Sequence, residues 1–125
     1  MKADLKLVLD HELVRRFREM AHLEEIEGIL EESPSSRQLY FTLREDVESE
    51  LRRRGPDVLR LLAVYYGDPS PWVRVRAAQA LLAIDPAGAR PVLEAVKPFK
   101  NYIALEAGMC LFAYDNRLGR WENRP

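Results

Sequence analysis

"DPSPWVRVRAAQALLAIDP", residues 68–86, decides the reading of this chain. Asp68-Pro69-Ser70-Pro71 is a turn signal that runs straight into an alanine-rich stretch, and that stretch closes on a second Asp-Pro at 85–86. Proline is tolerated in the first turn of a helix, where its missing N–H has no intrahelical partner to lose. Each Asp-Pro or Ser-Pro step therefore punctuates one helix and opens the next. The punctuation recurs: Pro56-Asp57-Val58-Leu59-Arg60 starts one helix and Pro86-Ala87-Gly88-Ala89-Arg90 another, 30 residues on. At that same offset "VRVRAAQAL" (73–81) aligns with "IALEAGMCL" (103–111). Val73/Ile103, Val75/Leu105, Ala77/Ala107 and Leu81/Leu111 match in apolar character, and Ala78/Gly108 and Ala80/Cys110 match in small size. A lone helix pair cannot bury its apolar face, so two such pairs imply stacking.

Elsewhere apolar residues also recur at helical spacing, and no segment alternates with period two. The pattern predicts helices over 10–22, 36–53, 57–66, 71–83, 87–96 and 101–113. Asp10 reads as the first N-cap. Leu13, Val14, Phe17, Met20 and Ala21 then share one face, as do Leu39, Tyr40, Leu43, Val47 and Leu51 in the second helix. "EEIEGILEE" (24–32) either continues the first helix or forms a separate turn, with Gly28 as the point of doubt, and "SPSS" (33–36) reads as a loop. Arg52, Arg53 and Arg54 close the second helix, where cations complement the dipole, and Gly55 is a natural residue after a helix end. The C-terminal tail "DNRLGRWENRP" is expected either to be loose or to pack as a cap through Leu118 and Trp121. The expected architecture is all-α: one domain over 1–125, a short helical-repeat solenoid of about five to six antiparallel helices with repeat pairs at 56–84 and 86–114.

The motif "GDPSPWVRVRAAQALLAI" (67–84) resembles a HEAT repeat. That resemblance implies that Asp68 and Arg74 form a structural pair stabilising turns between helices. The second repeat has Pro98 and Ala104 at those positions, so no ladder continues. More widely, "LVRRF" (13–17), "VESELRRRG" (47–55) and "WVRVRAAQALLAIDPAGARPVLEAV" (72–96) resemble a family of small bacterial proteins catalogued as domain of unknown function number two thousand and nineteen. The resemblance spans residues 10–113 and implies no established activity.

Composition narrows the function classes. Apolar residues make up 47% of the 125 and charged residues 31%, the balance of a globular chain rather than a disordered one. Net charge is −1; residues 1–54 carry 10 basic and 13 acidic side chains, residues 55–125 carry 9 and 7. That field is too weak to draw a polyanion. With Cys110 as the one cysteine, no internal disulfide can form, which fits a reducing compartment and a cytoplasmic protein. No stretch approaches the ~20 apolar residues of a membrane span.

Catalytic constellations are missing from the pattern. On one continuous helix His11 and His22 would stand ~16 Å apart, too far for one metal. Glu19 and His22 form one Glu-x-x-His pair where helix-bundle di-metal sites need two. Cys110 lies among apolar neighbours with no adjacent cation, as an inert buried thiol. Glu24-Glu25-x-Glu27 reads as a solvated face. No catalytic residue, metal or cofactor is assigned, and the protein is expected not to be an enzyme.

What remains is surface. Trp72 and Tyr102 occupy equivalent repeat positions, with Tyr66 and Phe99 in or near the same turns. They either plug joints between turns or form an aromatic strip for a partner. If Arg74 serves the turn, Arg76 is the arginine left for a ligand, and Arg76→Glu should leave melting nearly unchanged. The expected function is a non-catalytic module binding another protein or peptide, of the immunity, antitoxin or adaptor kind. Two alternatives stand beside it. One is a nucleic-acid binder, because some HEAT-like DNA glycosylases use tryptophan, aspartate and arginine and this chain offers Trp72, Asp68, Arg74 and Arg76. The other is a structural protein that homodimerises through an uncapped array end.

Overall fold

The computed structural model describes residues 4–30, 34–99 and 101–122. Among them all regular structure is helical: α1 (Asp10–Leu30), α2 (Pro34–Arg53), α3 (Pro56–Leu59), α4 (Pro71–Leu81), α5 (Pro86–Val96) and α6 (Tyr102–Asp115), with 3₁₀ segments at Leu5–Leu7, Arg60–Gly67 and Gly119–Trp121. The chain divides into two compact units, one ending at Leu61 and the other beginning at Leu62.

The N-terminal unit is a hairpin of α1 and α2. Leu13, Val14, Phe17 and Ala21 of α1 and Val47 and Leu51 of α2 are its buried apolar residues. The helix runs through Gly28 without interruption, so 24–30 continue α1. Pro34 already belongs to α2, at the first helical position that proline favours; Ser33 of the expected loop lies outside the described residues. Two side chains depart from expectation. Leu39, placed inward by spacing, is exposed. Glu24, assigned to a wet face, is buried and lies 3.4 Å from the equally buried Arg44 of α2. Arg44 also approaches Glu48 at 3.9 Å and stands 5.0 Å above the Phe41 ring. A carboxylate can leave water when a guanidinium on the facing helix replaces the lost hydration. Intrahelical spacing shows only that Glu24 is charged, so it reads as solvated.

Asp10 opens α1 but its carboxylate does not cap it. It accepts from Arg54 Nη1 at 2.7 Å, while Arg54 Nη2 donates to the Leu5 carbonyl at 2.9 Å. Arg52 binds Glu48 at 2.5 Å and Arg53 binds Glu50 through both Nε and Nη2. The arginine run therefore closes α2 and ties it to the start of α1. Gly55 follows with φ 115°, a left-handed backbone that a side chain would strain. Hydrogen bonds from Arg53, then Arg54, hold the Glu50 carboxyl down to about 2. Because that value lies below the ordinary 4.5, Glu50 contributes stability above about pH 4.5 and loses it as pH falls toward 2. Thermal melts over that range should fall, and Glu50→Gln should flatten the fall. An unchanged profile in the variant would show that other carboxylates govern acid unfolding.

At the start of the expected first pair, helix 57–66 is only one α-turn, Pro56–Leu59, before it tightens into 3₁₀ geometry over Arg60–Gly67. Leu59 at the end of the α-turn and Leu62 in the 3₁₀ segment are both buried.

In the C-terminal unit α4, α5 and α6 pack together. Each is capped by a polar side chain. Ser70 Oγ accepts from Val73 N at 3.2 Å, Asp85 Oδ1 from Gly88 N at 3.1 Å and Asn101 Oδ1 from Ala104 N at 2.9 Å. A Cβ at residue 88 would collide with the Asp85 carboxylate, so glycine there is what permits the α5 cap. Val73, Val75, Ala77, Ala78 and Leu81 of α4, Leu93 and Val96 of α5, and Ile103 and Ala107 of α6 are buried. Arg90 of α5 grips Asp115 at the end of α6 with two bonds of 2.9 and 2.7 Å. Trp121 of the tail packs edge-on against Tyr114, 5.2 Å between centroids, whereas Leu118 stays exposed.

Candidate functional site

The turn before α4 consumes the residues expected to form it. The Asp68 carboxylate accepts from Ser70 N at 2.9 Å, bracing the Asp-Pro step. Arg74 reaches back to the same turn, but to its backbone: Nη1 donates to the Asp68 carbonyl at 2.7 Å and the Pro69 carbonyl at 3.3 Å. Asp68 and Arg74 thus serve one turn through separate bonds.

The aromatic residues behave unequally. Trp72 and Tyr102 stack with centroids 5.4 Å apart and planes 19° from parallel. Trp72 is only 7% exposed, so it is a joint between α4 and α6 rather than an open anchor. Tyr102 is half-exposed, with its hydroxyl donating to Glu106 Oε1 at 2.7 Å. Tyr66 donates to Asp85 Oδ2 at 2.9 Å, supporting the carboxylate that caps α5. Burial and that bond push the Tyr66 phenol well above its usual range, so it remains a neutral donor. Phe99 is exposed.

Arg76 corrects the expectation drawn from spacing. It is 4% exposed, its guanidinium lies 5.7 Å above the Trp72 ring, and Nη1 donates to Gln79 at 3.0 Å. Nη2 stands 3.7 Å from Glu106 of α6. A helix position opposite a core stripe is still interior when a neighbouring helix covers it, and the stem of arginine packs as an apolar group. Trp72, Arg74, Arg76 and Asp68 therefore do not converge on an open cleft: each is spent on a turn or on the α4–α6 joint.

The open surface lies elsewhere, on the outer side of α6. That helix is apolar around its circumference, with Glu106 and Asp115 as its charged residues. A helix of this kind is normally covered on all sides. Here Leu105, Met109 and Phe112 are 60%, 60% and 62% exposed. Together with Phe99, Tyr102 and Leu118 they border a shallow groove whose floor includes Ala104 and Gly108. Nothing lies within 4 Å of where a Cβ on Gly108 would stand, so the floor is notched there. The 30-residue repeat makes the feature legible. Val75 and Leu82, the counterparts of Leu105 and Phe112, are fully buried, as is Ala78, the counterpart of Gly108. Of the residues singled out from sequence, Phe99 and Tyr102 belong to this groove; Tyr66, Trp72 and Arg76 do not. Leu105, Met109 and Phe112 were missed because the same spacing marks them as core. The usable signal was the near absence of charge on the last helix.

Cys110 sits half-buried on α6. His22 Nδ1 lies 3.3 Å from Glu25, and among the described residues no group of three or more histidine, cysteine or acidic side chains could hold a metal ion. No helix of the described residues is long and apolar enough to cross a membrane.

The protein RPA1889 from Rhodopseudomonas palustris CGA009, known from a crystal structure, is similar at 30% identity with a TM-score of 0.84, over 92% of this chain and 95% of that one. No curated protein matches at a significant level. A family model matches residues 11–115, and the chain belongs to the family described as Domain of unknown function (DUF2019).

Proposed function

We propose that this chain is a non-catalytic protein-binding module whose binding surface is the outer face of α6. The observation that carries the reading is the contrast within the repeat: Leu105 and Phe112 are exposed where Val75 and Leu82 are sealed. Exposed apolar side chains gathered in one groove mark interaction sites, whereas scattered ones do not. The groove fits the apolar face of a helix, with Gly108 admitting a knob and Leu105, Met109 and Phe112 flanking it. The recurrence at 30 residues supports reading 56–114 as a short HEAT-like array, whose end helix is the natural place for a guest. Occupancy rather than turnover would then be the output, which suits an immunity-type or adaptor role. The lone thiol suits a reducing compartment, and we place the protein in the cytoplasm.

The test places a photoreactive phenylalanine at position 109 in the native host, with position 57, whose Asp side chain is fully exposed, as control. An adduct is expected at 109 and not at 57, and Leu105→Glu should abolish it while leaving the melting temperature within a few degrees. No adduct at 109, or equal adducts at both positions, would refute the module.

A further inference from the structure

We infer that the occupant of the α6 groove is the same groove of a second copy of this chain, in a two-fold pairing of α6 against α6. The inference rests on the binding reading above and names its partner.

Three observations point to self-pairing. The first is electrical. Both charged side chains of α6 are engaged within their own chain: Glu106 accepts from Tyr102 and lies 3.7 Å from Arg76, and Asp115 is gripped by Arg90. Lys97, at the groove's edge, stands 3.5 Å from Glu94. A foreign partner is usually selected by complementary charge across the contact. This face offers little charge to complement, and a face of that kind can meet its own copy without like-charge repulsion.

The second is shape. A two-fold contact must carry both the ridge and the hole, since the same patch serves both sides. The groove has the open notch at Gly108 and, one turn to either side, the projecting Leu105 and Phe112. With the two-fold axis at Gly108, the paired notches let the two helices approach closely, and Leu105 of each copy packs beside Phe112 of the other. Ala78, the buried repeat counterpart of Gly108, shows that a small residue at this position already lies at a packed surface within the chain.

The third is area. Phe99, Tyr102, Leu105, Met109, Phe112 and Leu118 are each about half exposed. Counting about 150–200 Å² for a fully exposed aromatic ring, with less for the aliphatic residues, they offer about 500 Å² per copy. Two copies would bury about 1,000 Å², the lower edge of specific interfaces, so the pairing should be weak and dependent on concentration.

Sedimentation velocity from about 1 to about 500 µM should show the mass rising from the 14.5 kDa monomer toward twice that value. Met109→Glu should weaken the association at least about tenfold, with the melting curve as a check on folding. In a Cys110→Ala background, Gly108→Cys should close a disulfide across the two-fold under mild oxidation, whereas Asp57→Cys should not, because the bond needs Cα atoms within about 7 Å. A monomer throughout the concentration range, or a dimer that Met109→Glu leaves intact and Gly108→Cys cannot trap, would overturn the inference. The photo-crosslink at position 109 separates the two readings. An adduct of twice the chain mass supports the second copy. An adduct of any other mass overturns self-pairing yet preserves the binding surface, and no adduct removes both.

Discussion

Arg76→Glu is expected to unfold the C-terminal unit at ordinary temperatures. The wild-type guanidinium is almost wholly buried over Trp72, bonded to Gln79 and within 3.7 Å of Glu106. A glutamate there would set a second carboxylate beside Glu106 in the same covered joint. Glu106 is 27% exposed, so the larger cost comes from burying a carboxylate at position 76 itself, where the arginine side chain is 5% exposed; an uncompensated buried charge costs about 3–5 kcal/mol. A domain stability of about 5–15 kcal/mol leaves little margin. For a unit of this size the melting temperature should fall by about 15–30 °C, read by far-UV circular dichroism. Arg76→Met supplies the contrast. It retains the packed stem and leaves Glu106 its bond from Tyr102, so its loss should be about 1–2 kcal/mol. If Arg76→Glu melts within a few degrees of wild type, the α4–α6 joint is not packed as described.

Ala78→Asp should be as damaging by a different route. Ala78 is fully buried in α4, at a position where only a methyl group fills the space. Aspartate would add both volume and an uncompensated charge, with an effective desolvation cost of several kcal/mol after relaxation. Its lower helix propensity adds about half a kcal/mol. The variant should be recovered without a cooperative melting transition. Gly108→Asp, the same change at the repeat-equivalent position, should cost about 1 kcal/mol or less, because space is open there. Equal loss in the two variants would mean that α6 is covered on its outer side, and the groove would lose its standing.

The helical boundaries were legible because they depend on local chemistry. Pro71, Pro86 and the caps at Ser70, Asp85 and Asn101 act within a turn of where they stand. Residues 24–30 and the connector at 60–67 were less legible. Gly28 weakens a helix without breaking it when the rest of α1 is held against α2. The connector is 3₁₀ over Arg60–Gly67, a geometry that helical spacing does not separate from α over so short a run. Arg76 and Glu24 show a stronger limit. Each is charged, each sits where periodicity assigns water, and each is buried against a partner far away in sequence: Glu106 for one, Arg44 for the other. The 30-residue spacing set Trp72 and Tyr102 side by side as repeat counterparts, but spacing could not say that their rings stack on each other.

Sequence alone determined that the chain is all helical, that its second half repeats at 30 residues, and that its last helix carries almost no charge. Those properties are local sums over side chains and turns. Tertiary structure alone decided which equivalent positions are sealed and which are open. Val75 and Leu105 are both apolar at the same point of the repeat, but one is enclosed and the other faces water. Burial depends on what lies across from a helix, and spacing within one helix carries no record of that.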